Sequence, residues 1–219
     1  MERSLGNAGI SLFSDLKNFS EKVNQVYVQA VEDYHVYDSI DHPIDNPYSP
    51  EELEHLFYLK CWIDSVQWHV EDEIRHPEIE PGKALVLKRR IDALNQDRTN
   101  KVELIDNFFL VKYHNIGLSQ SARLNSESPA WALDRLSILA LKIYHMKAET
   151  ERKDVPEAHI EQCAQKLKIL HEQRTDLCRS INELLSDISE GNKYMKVYRQ
   201  MKMYNDPNLN PVLYKLNRS

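Results

Sequence analysis

His69 and Glu73 stand four residues apart in a stretch whose apolar residues recur at helical spacing, so imidazole and carboxylate share one helix face. Such a pair can hydrogen-bond or hold two positions around one divalent metal ion, and a third ligand must then come from another element. Asp72 lies one step further round, and Trp62 shares the flank of His69 and Glu73. A purely structural reading competes: Glu73 or Asp72 pairs with Arg98, and His69 caps the resulting network. Arg98 makes that reading concrete. With Asn95 it falls near the middle of the apolar stripe Ala84, Ile91, Leu94, Val102, Ile105 and Phe109. A guanidinium turned into a helical core is costly unless a carboxylate meets it, so Arg98 predicts an acid on a neighbouring helix.

A second set of polar residues, Asp134, Arg135, Lys142 and His145, occupies one sector of an otherwise apolar helical run, with Trp131 and Ile138 interleaved. Asp134 and His145 are too far apart to share an ion, about 16 Å at 1.5 Å per residue. They can line a groove whose cations suit phosphate or carboxylate groups and whose tryptophan suits a ring. A solvated face explains the same pattern. The candidate catalytic residues are therefore His69, Asp72, Glu73, Arg98, Asp134 and His145. Candidate ligand contacts are Trp62, Asn95, Arg98, Trp131, Arg135 and Lys142, and the metal candidates are His69 and Glu73.

Several chemistries are absent from the sequence: a glycine-rich phosphate loop, a Gly-x-Ser-x-Gly elbow, a His-Glu-x-x-His pair and a Cys-x-x-Cys pair. Glu71, Asp72 and Glu73 are similar to the acidic helices of magnesium-dependent helical nucleotide pyrophosphatases. The segment that would face them, Asn95 to Arg98, supplies a single carboxylate beside a cation, where such enzymes need paired acidic motifs. Cys61, Cys163 and Cys178 are widely spaced within helical patterns and are expected to be reduced core thiols rather than a disulfide framework.

The elements that must position these groups are helices. From Ile160 to Ile188 the chain steps by threes and fours through Cys163, Leu167, Leu170, Arg174, Leu177, Ile181 and Leu184. That is a heptad seam, interrupted by Arg174, whose head must meet a carboxylate or reach water along its aliphatic stem. Five glycines in 219 residues leave little room for strand-and-turn architecture. Helices are predicted over about 11–34, 49–75, 83–112, 128–146, 156–190 and 192–204. Ser49-Pro50-Glu51-Glu52 reads as a capping box, 114–128 as an irregular surface loop, and Gly191 as a left-handed cap. The fold class expected is all-α: an elongated bundle of about five to six helices in one domain over 1–219, with a long heptad-patterned C-terminal helix.

No segment approaches the roughly 18 apolar residues of a membrane span, and Met1–Gly9 does not read as a signal peptide, so a cytoplasmic location is expected. The formal charge of -6 conceals a basic, tyrosine-rich segment over 193–219, where six basic residues face Asp206 alone. Such a tail suits docking on the acidic body, within or between subunits. Nucleic acid is disfavoured, because the chain is acidic overall and carries no nucleic-acid motif.

The segments DYHVYDSIDHPIDNPY, WIDSVQWHVEDEIRHPEI, LKRRIDALNQDRTNKVELID, NSESPAWALDRLSILALKIYHM and YMKVYRQMKMYNDPNLNPVLY resemble, in order, a bacterial family known as domain of unknown function number 4254. The resemblance spans nearly the whole chain. It implies an all-helical, single-domain cytosolic protein and transfers no catalytic residue. It also implies a link with cell-envelope glycan synthesis, since some members are encoded near envelope glycosyltransferases, an association and not a mechanism. Two functions follow as expectations. The first is association, as a homodimer or with a protein partner, through the seam and the tail, with no cofactor required. The second is a ligand- or metal-binding bundle with a polar inter-helix cleft, a metal-dependent hydrolase of a phosphorylated small molecule being its enzymatic form.

Overall fold

The computed structural model describes residues 18–199, 203 and 206–216, and among them six helices and one two-residue strand pair are formed. Helix α1 is Phe19–Tyr37, α2 Leu53–Ile74, α3 Pro81–Tyr113, α4 Pro129–Thr150, α5 Glu157–Ser189 and α6 Pro211–Leu216. Strand β1, Arg123–Leu124, pairs in parallel with β2, Lys193–Tyr194. The all-α expectation holds, including the long helix near the C-terminus.

Each helix is there for a local reason. In α1 the buried residues Val23, Val26, Tyr27, Ala30, Val31 and Tyr34 form one stripe, the spacing that sends an amphipathic helix face into a core. Helix α3 starts at Pro81 because Glu80 caps it, its carboxylate accepting from the backbone N–H of Gly82 at 2.8 Å and Lys83 at 2.7 Å. Proline at the first helical position costs no hydrogen bond there. Pro129 likewise opens α4. Helix α4 is buried on most of its circumference and packs against α1, α2, α3 and α5, the central place its apolar run predicts. One apolar cluster joins residues of all five long helices.

Two segments differ from expectation. Helix α2 begins at Leu53, not Ser49: Ser49 N–H reaches Glu52 Oε2 at 3.1 Å as in a capping box, but the four residues close a turn ahead of the helix. The helix expected over 192–204 does not form over 192–199. There the chain turns at Gly191 and pairs with the 114–128 segment, Arg123 N–H donating to Asn192 O at 3.1 Å and Asn125 N–H to Tyr194 O at 2.9 Å. The remainder of that prediction lies largely outside the described residues, as does the start of the first one.

The seam of α5 faces α4 of the same chain. Cys163, Ile181, Leu184 and Ile188 are buried, while Leu167, Leu170, Arg174 and Leu177 are half-buried. Arg174 has no described carboxylate within ion-pair reach, which leaves it the aliphatic-stem solution. All three cysteines are buried and free. No helix among the described residues is long and apolar enough to cross a membrane.

Candidate functional site

Lys60 of α2 is completely buried, and the acids that hold it are buried too: its Nζ lies 2.5 Å from Asp64 Oδ2, one helical turn on, and 2.8 Å from Asp134 Oδ1 of α4. Asp134 is shared. Arg98 of α3 grips it in fork geometry, Nε to Oδ1 at 2.9 Å and Nη2 to Oδ2 at 2.5 Å, and its Nε also stands 3.4 Å from Asp64 Oδ1. Ser137, one turn after Asp134, donates to Asp64 Oδ2. Two cations and two carboxylates from three helices thus neutralise one another in the interior, the condition under which buried charge is tolerated.

The two acids are not equivalent. Burial pushes Asp64 above the ordinary carboxylate range, with Lys60 and Arg98 offsetting only part of it. Burial also presses on Asp134, but Lys60 and the forked Arg98 outweigh it and hold that carboxylate below its usual value. The two environments push the neighbouring carboxyls in opposite directions, the pattern from which acid and base roles are assigned.

This network forms the floor of a cleft with two chambers. The first, about 320 Å³, lies over α2 and is lined by Asp64, Gln67, Trp68, Glu71, Asp72 and Arg75 together with Arg98 and Ile138. The second, about 670 Å³, lies between α3, α4 and α5, and its wall includes Arg135, Lys142, Gln173, Asp176 and Ser180. Arg98 and Ile138 border both chambers. With Nε and Nη2 committed to Asp134, no described residue accepts from Arg98 Nη1. Asn95 positions the first wall, its Oδ1 accepting from Gln67 Nε2 at 3.0 Å. Two acceptors in that wall, Asp64 Oδ1 and Gln67 Oε1, are buried without a hydrogen-bond donor.

The other candidates separate into those that reach the cleft and those that do not. Asp72, Asp134, Arg98, Arg135 and Lys142 line it. Arg135 is tied to Glu127 at 2.7 Å, whereas Lys142 has no described carboxylate within ion-pair reach. Trp62 is a core residue packed edge-on against Tyr34, and Trp131 lines neither chamber. Glu73 does not pair with Arg98: it turns outward to Lys83 at 3.0 Å. The partner of Arg98 is Asp134 because α3 packs on α4 as well as on α2 at that level, and Asp134 faces inward.

His69 and His145 leave the cleft and converge with His35 of α1, one ring nitrogen from each lying within 4.8 Å of the other two. Burial, then the proximity of His35 and His69, pushes His145 down to about 4. A second group with metal-ligand chemistry, Glu149, His159 and Cys163, sits where α4 passes into α5.

Lys60, Asp64, Ser137, Gln67 and His35 escaped the sequence reading. Lys60 had a signal: it lies four residues after Leu56 and three before Ile63, on the apolar stripe itself, with Asp64 at the next turn. His35 follows Val31 at the same interval.

A sequence model of the family described as "Protein of unknown function (DUF4254)" matches residues 54–197. No curated protein and no solved structure matches the chain.

Proposed function

The chain belongs to that family, DUF4254, and from this premise we propose that it is a ligand-binding helical bundle whose two-chambered cleft takes a small molecule bearing a phosphate or carboxylate group. One observation carries the reading. Arg98 is anchored through two of its nitrogens by a buried carboxylate, and its third nitrogen remains available at the junction of the two chambers. A guanidinium so fixed is preorganised for an anion and loses little entropy on binding. Lys142 adds to the larger chamber an ammonium with no described carboxylate within ion-pair reach, while Trp68 gives the smaller one an apolar plate and Gln67 an acceptor for hydroxyl or amino groups.

The test is thermal stabilisation by inorganic phosphate, pyrophosphate, sugar phosphates and nucleotides, followed by calorimetry on any compound that shifts the melting point. Arg98→Met should abolish the shift, and Lys142→Ala should weaken binding about 5- to 50-fold. A melting point unmoved by every anion at millimolar concentration would refute the proposal.

Association is the second reading, and a different observation favours it. The α5 seam is largely spent on α4, but Leu104, Leu110, Val111, Ile116 and Leu118 leave an exposed apolar run along the end of α3 and the segment after it. Light scattering behind size-exclusion chromatography decides the homodimer form: a monomer at micromolar concentration excludes it. A role beside envelope glycan synthesis, in the cytoplasm, belongs to this reading as the setting in which a partner would be sought.

A further inference from the structure

Three imidazoles do not share a small space without something between their nitrogens. His35 Nδ1 lies 2.6 Å from Val31 O, and a carbonyl only accepts, so Nδ1 carries the hydrogen and Nε2 of the neutral ring is a bare lone pair. That lone pair points at His69 Nε2, 3.2 Å away. His145 supplies a third ring nitrogen within 4.8 Å of both, and its Nε2 is buried with no hydrogen-bond partner. A single proton can bridge two of the three nitrogens and leaves the third unsatisfied; one cation satisfies all of them.

We infer that His35, His69, His145 and Asp38 form a binding site for one divalent transition-metal ion. Ligand atoms about 2.1 Å from a common ion stand about 3.0 Å apart in octahedral and 3.4 Å apart in tetrahedral geometry. The 3.2 Å between His35 and His69 falls between those values. Asp38 Oδ1, 3.7 Å from His69 Nε2, lies a few tenths of an ångström beyond them. Its carboxylate is exposed enough to close that distance by a rotation about its side-chain bonds. Asp38 is also brought there by its backbone: it ends α1 in the left-handed region at φ 47°, its N–H donating to Tyr34 O at 3.0 Å. A non-glycine residue in that conformation is uncommon, and here it places a carboxylate one helical turn after His35.

Each imidazole is further held by its own aromatic plate. Tyr144 stacks on His35 at 4.0 Å, Tyr34 on His69 at 5.1 Å and Trp68 on His145 at 4.7 Å. Rings oriented in this way, with one locked in its tautomer by a backbone carbonyl, have the supporting contacts that metal-binding histidines need. The donor set selects among ions. Three imidazoles and one carboxylate suit zinc, iron(II), cobalt or nickel, whereas magnesium and calcium demand oxygen ligands. The site joins α1, α2 and α4 and is independent of the ligand bound in the cleft, although Trp68 belongs to both.

The test uses the untagged full chain, stripped of metal with a chelator and titrated with zinc(II) by calorimetry and with cobalt(II) by visible absorption. One equivalent is expected to bind. His35→Gln and His145→Gln should each weaken binding at least about 100-fold, while Asp38→Asn should weaken it about 10- to 100-fold and shift the cobalt bands at unchanged stoichiometry. Cys163→Ser should change nothing. If a histidine variant fails to fold by circular dichroism, Asp38→Asn, at a largely exposed side chain, still decides. The inference is overturned by a wild type that binds neither ion. It is equally overturned by binding that survives loss of His145, or by a thiolate-to-cobalt charge-transfer band that disappears with Cys163→Ser, which would place the metal at the Glu149, His159 and Cys163 group. An Asp38→Asn protein with wild-type affinity and spectrum overturns the four-ligand site as stated.

Discussion

Replacing Lys60 by methionine keeps the length and apolar stem of a fully buried side chain and deletes only its charge. Asp64 and Asp134 then face each other across the space the ammonium filled, with Arg98 the sole remaining cation among the described residues. Breaking a buried ion pair from one side costs about 3–5 kcal/mol. The protein has one escape, which is to protonate Asp64, already above its ordinary value because burial outweighs the neighbouring cations. Protonating a carboxyl of ordinary pKa about 3.9 costs about 1.4 kcal/mol for each pH unit above it, or about 4 kcal/mol at pH 7 and about 1.5 kcal/mol at pH 5. The destabilisation should therefore be about 3–4 kcal/mol at pH 7 and fall to about 1.5 kcal/mol or less at pH 5. For 219 residues the unfolding entropy is about 0.5 kcal/mol per degree, so the neutral-pH value corresponds to a melting point lowered by about 6–9 °C. Urea unfolding at the two pH values measures it, and Lys60→Met combined with Asp64→Asn should recover most of the loss. A cost below about 1 kcal/mol at pH 7, or one identical at both pH values, would refute the argument that Lys60 and its two carboxylates form a buried ion cluster.

Asp134→Asn should be destabilising at neutral pH, with the gap to the wild type narrowing in acid. A carboxylate held below its unfolded pKa contributes stability above about pH 3.9, lost as the pH falls through the folded value; unfolding curves at pH 7 and pH 3.5 check the sign. Gly191→Ala should lower stability by about 2 kcal/mol or more, because the residue sits at φ +72° and the new methyl would lie 2.2 Å from Gly117 O; thermal denaturation reads the loss. Cys61 is wholly buried and its thiol is pushed up to about 12 by burial and by Asp64, so an aromatic disulfide reagent at pH 8 should label it only as fast as the chain unfolds. Ser20→Ala should cost about 1 kcal/mol by removing the hydroxyl that lies 2.8 Å from Cys178 O and 2.9 Å from Asn182 Oδ1, while the Ser20 backbone N–H keeps its bond to Asn182 Oδ1 at 3.1 Å; urea unfolding measures the loss.

The helices were legible because their apolar periodicity is strong and their proline and serine boundaries are local signals. The 192–204 segment was not: its basic and aromatic spacing reads as a helix in isolation, while its backbone is claimed by residues 123–125, some 70 positions earlier. Arg98 could be recognised as needing an acid, since a cation on an apolar stripe is a local contradiction. Which acid it meets depends on how three helices cross, and Asp134 beat Asp72 and Glu73 by facing inward from the central helix. Lys60 was hidden differently. Its i,i+4 relation to Asp64 is common on solvated helices, so only its place on the stripe marked it as interior. The histidines show the limit most clearly, because His35, His69 and His145 have no spacing that relates them and meet only through the packing of α1, α2 and α4.

The parallel pairing of 123–124 with 193–194 sets an order of events during synthesis. When the ribosome has released α1 to α4, the segment between α3 and α4 still lacks the backbone partner it will have, which is made only after the whole of α5. The last latch to shut is thus a pair of short strands reached by a contact of long sequence separation, the kind that forms late. A nascent chain stopped before residue 193 should carry its helices but remain unfastened at that end, with 114–128 open to protease until the next few residues emerge.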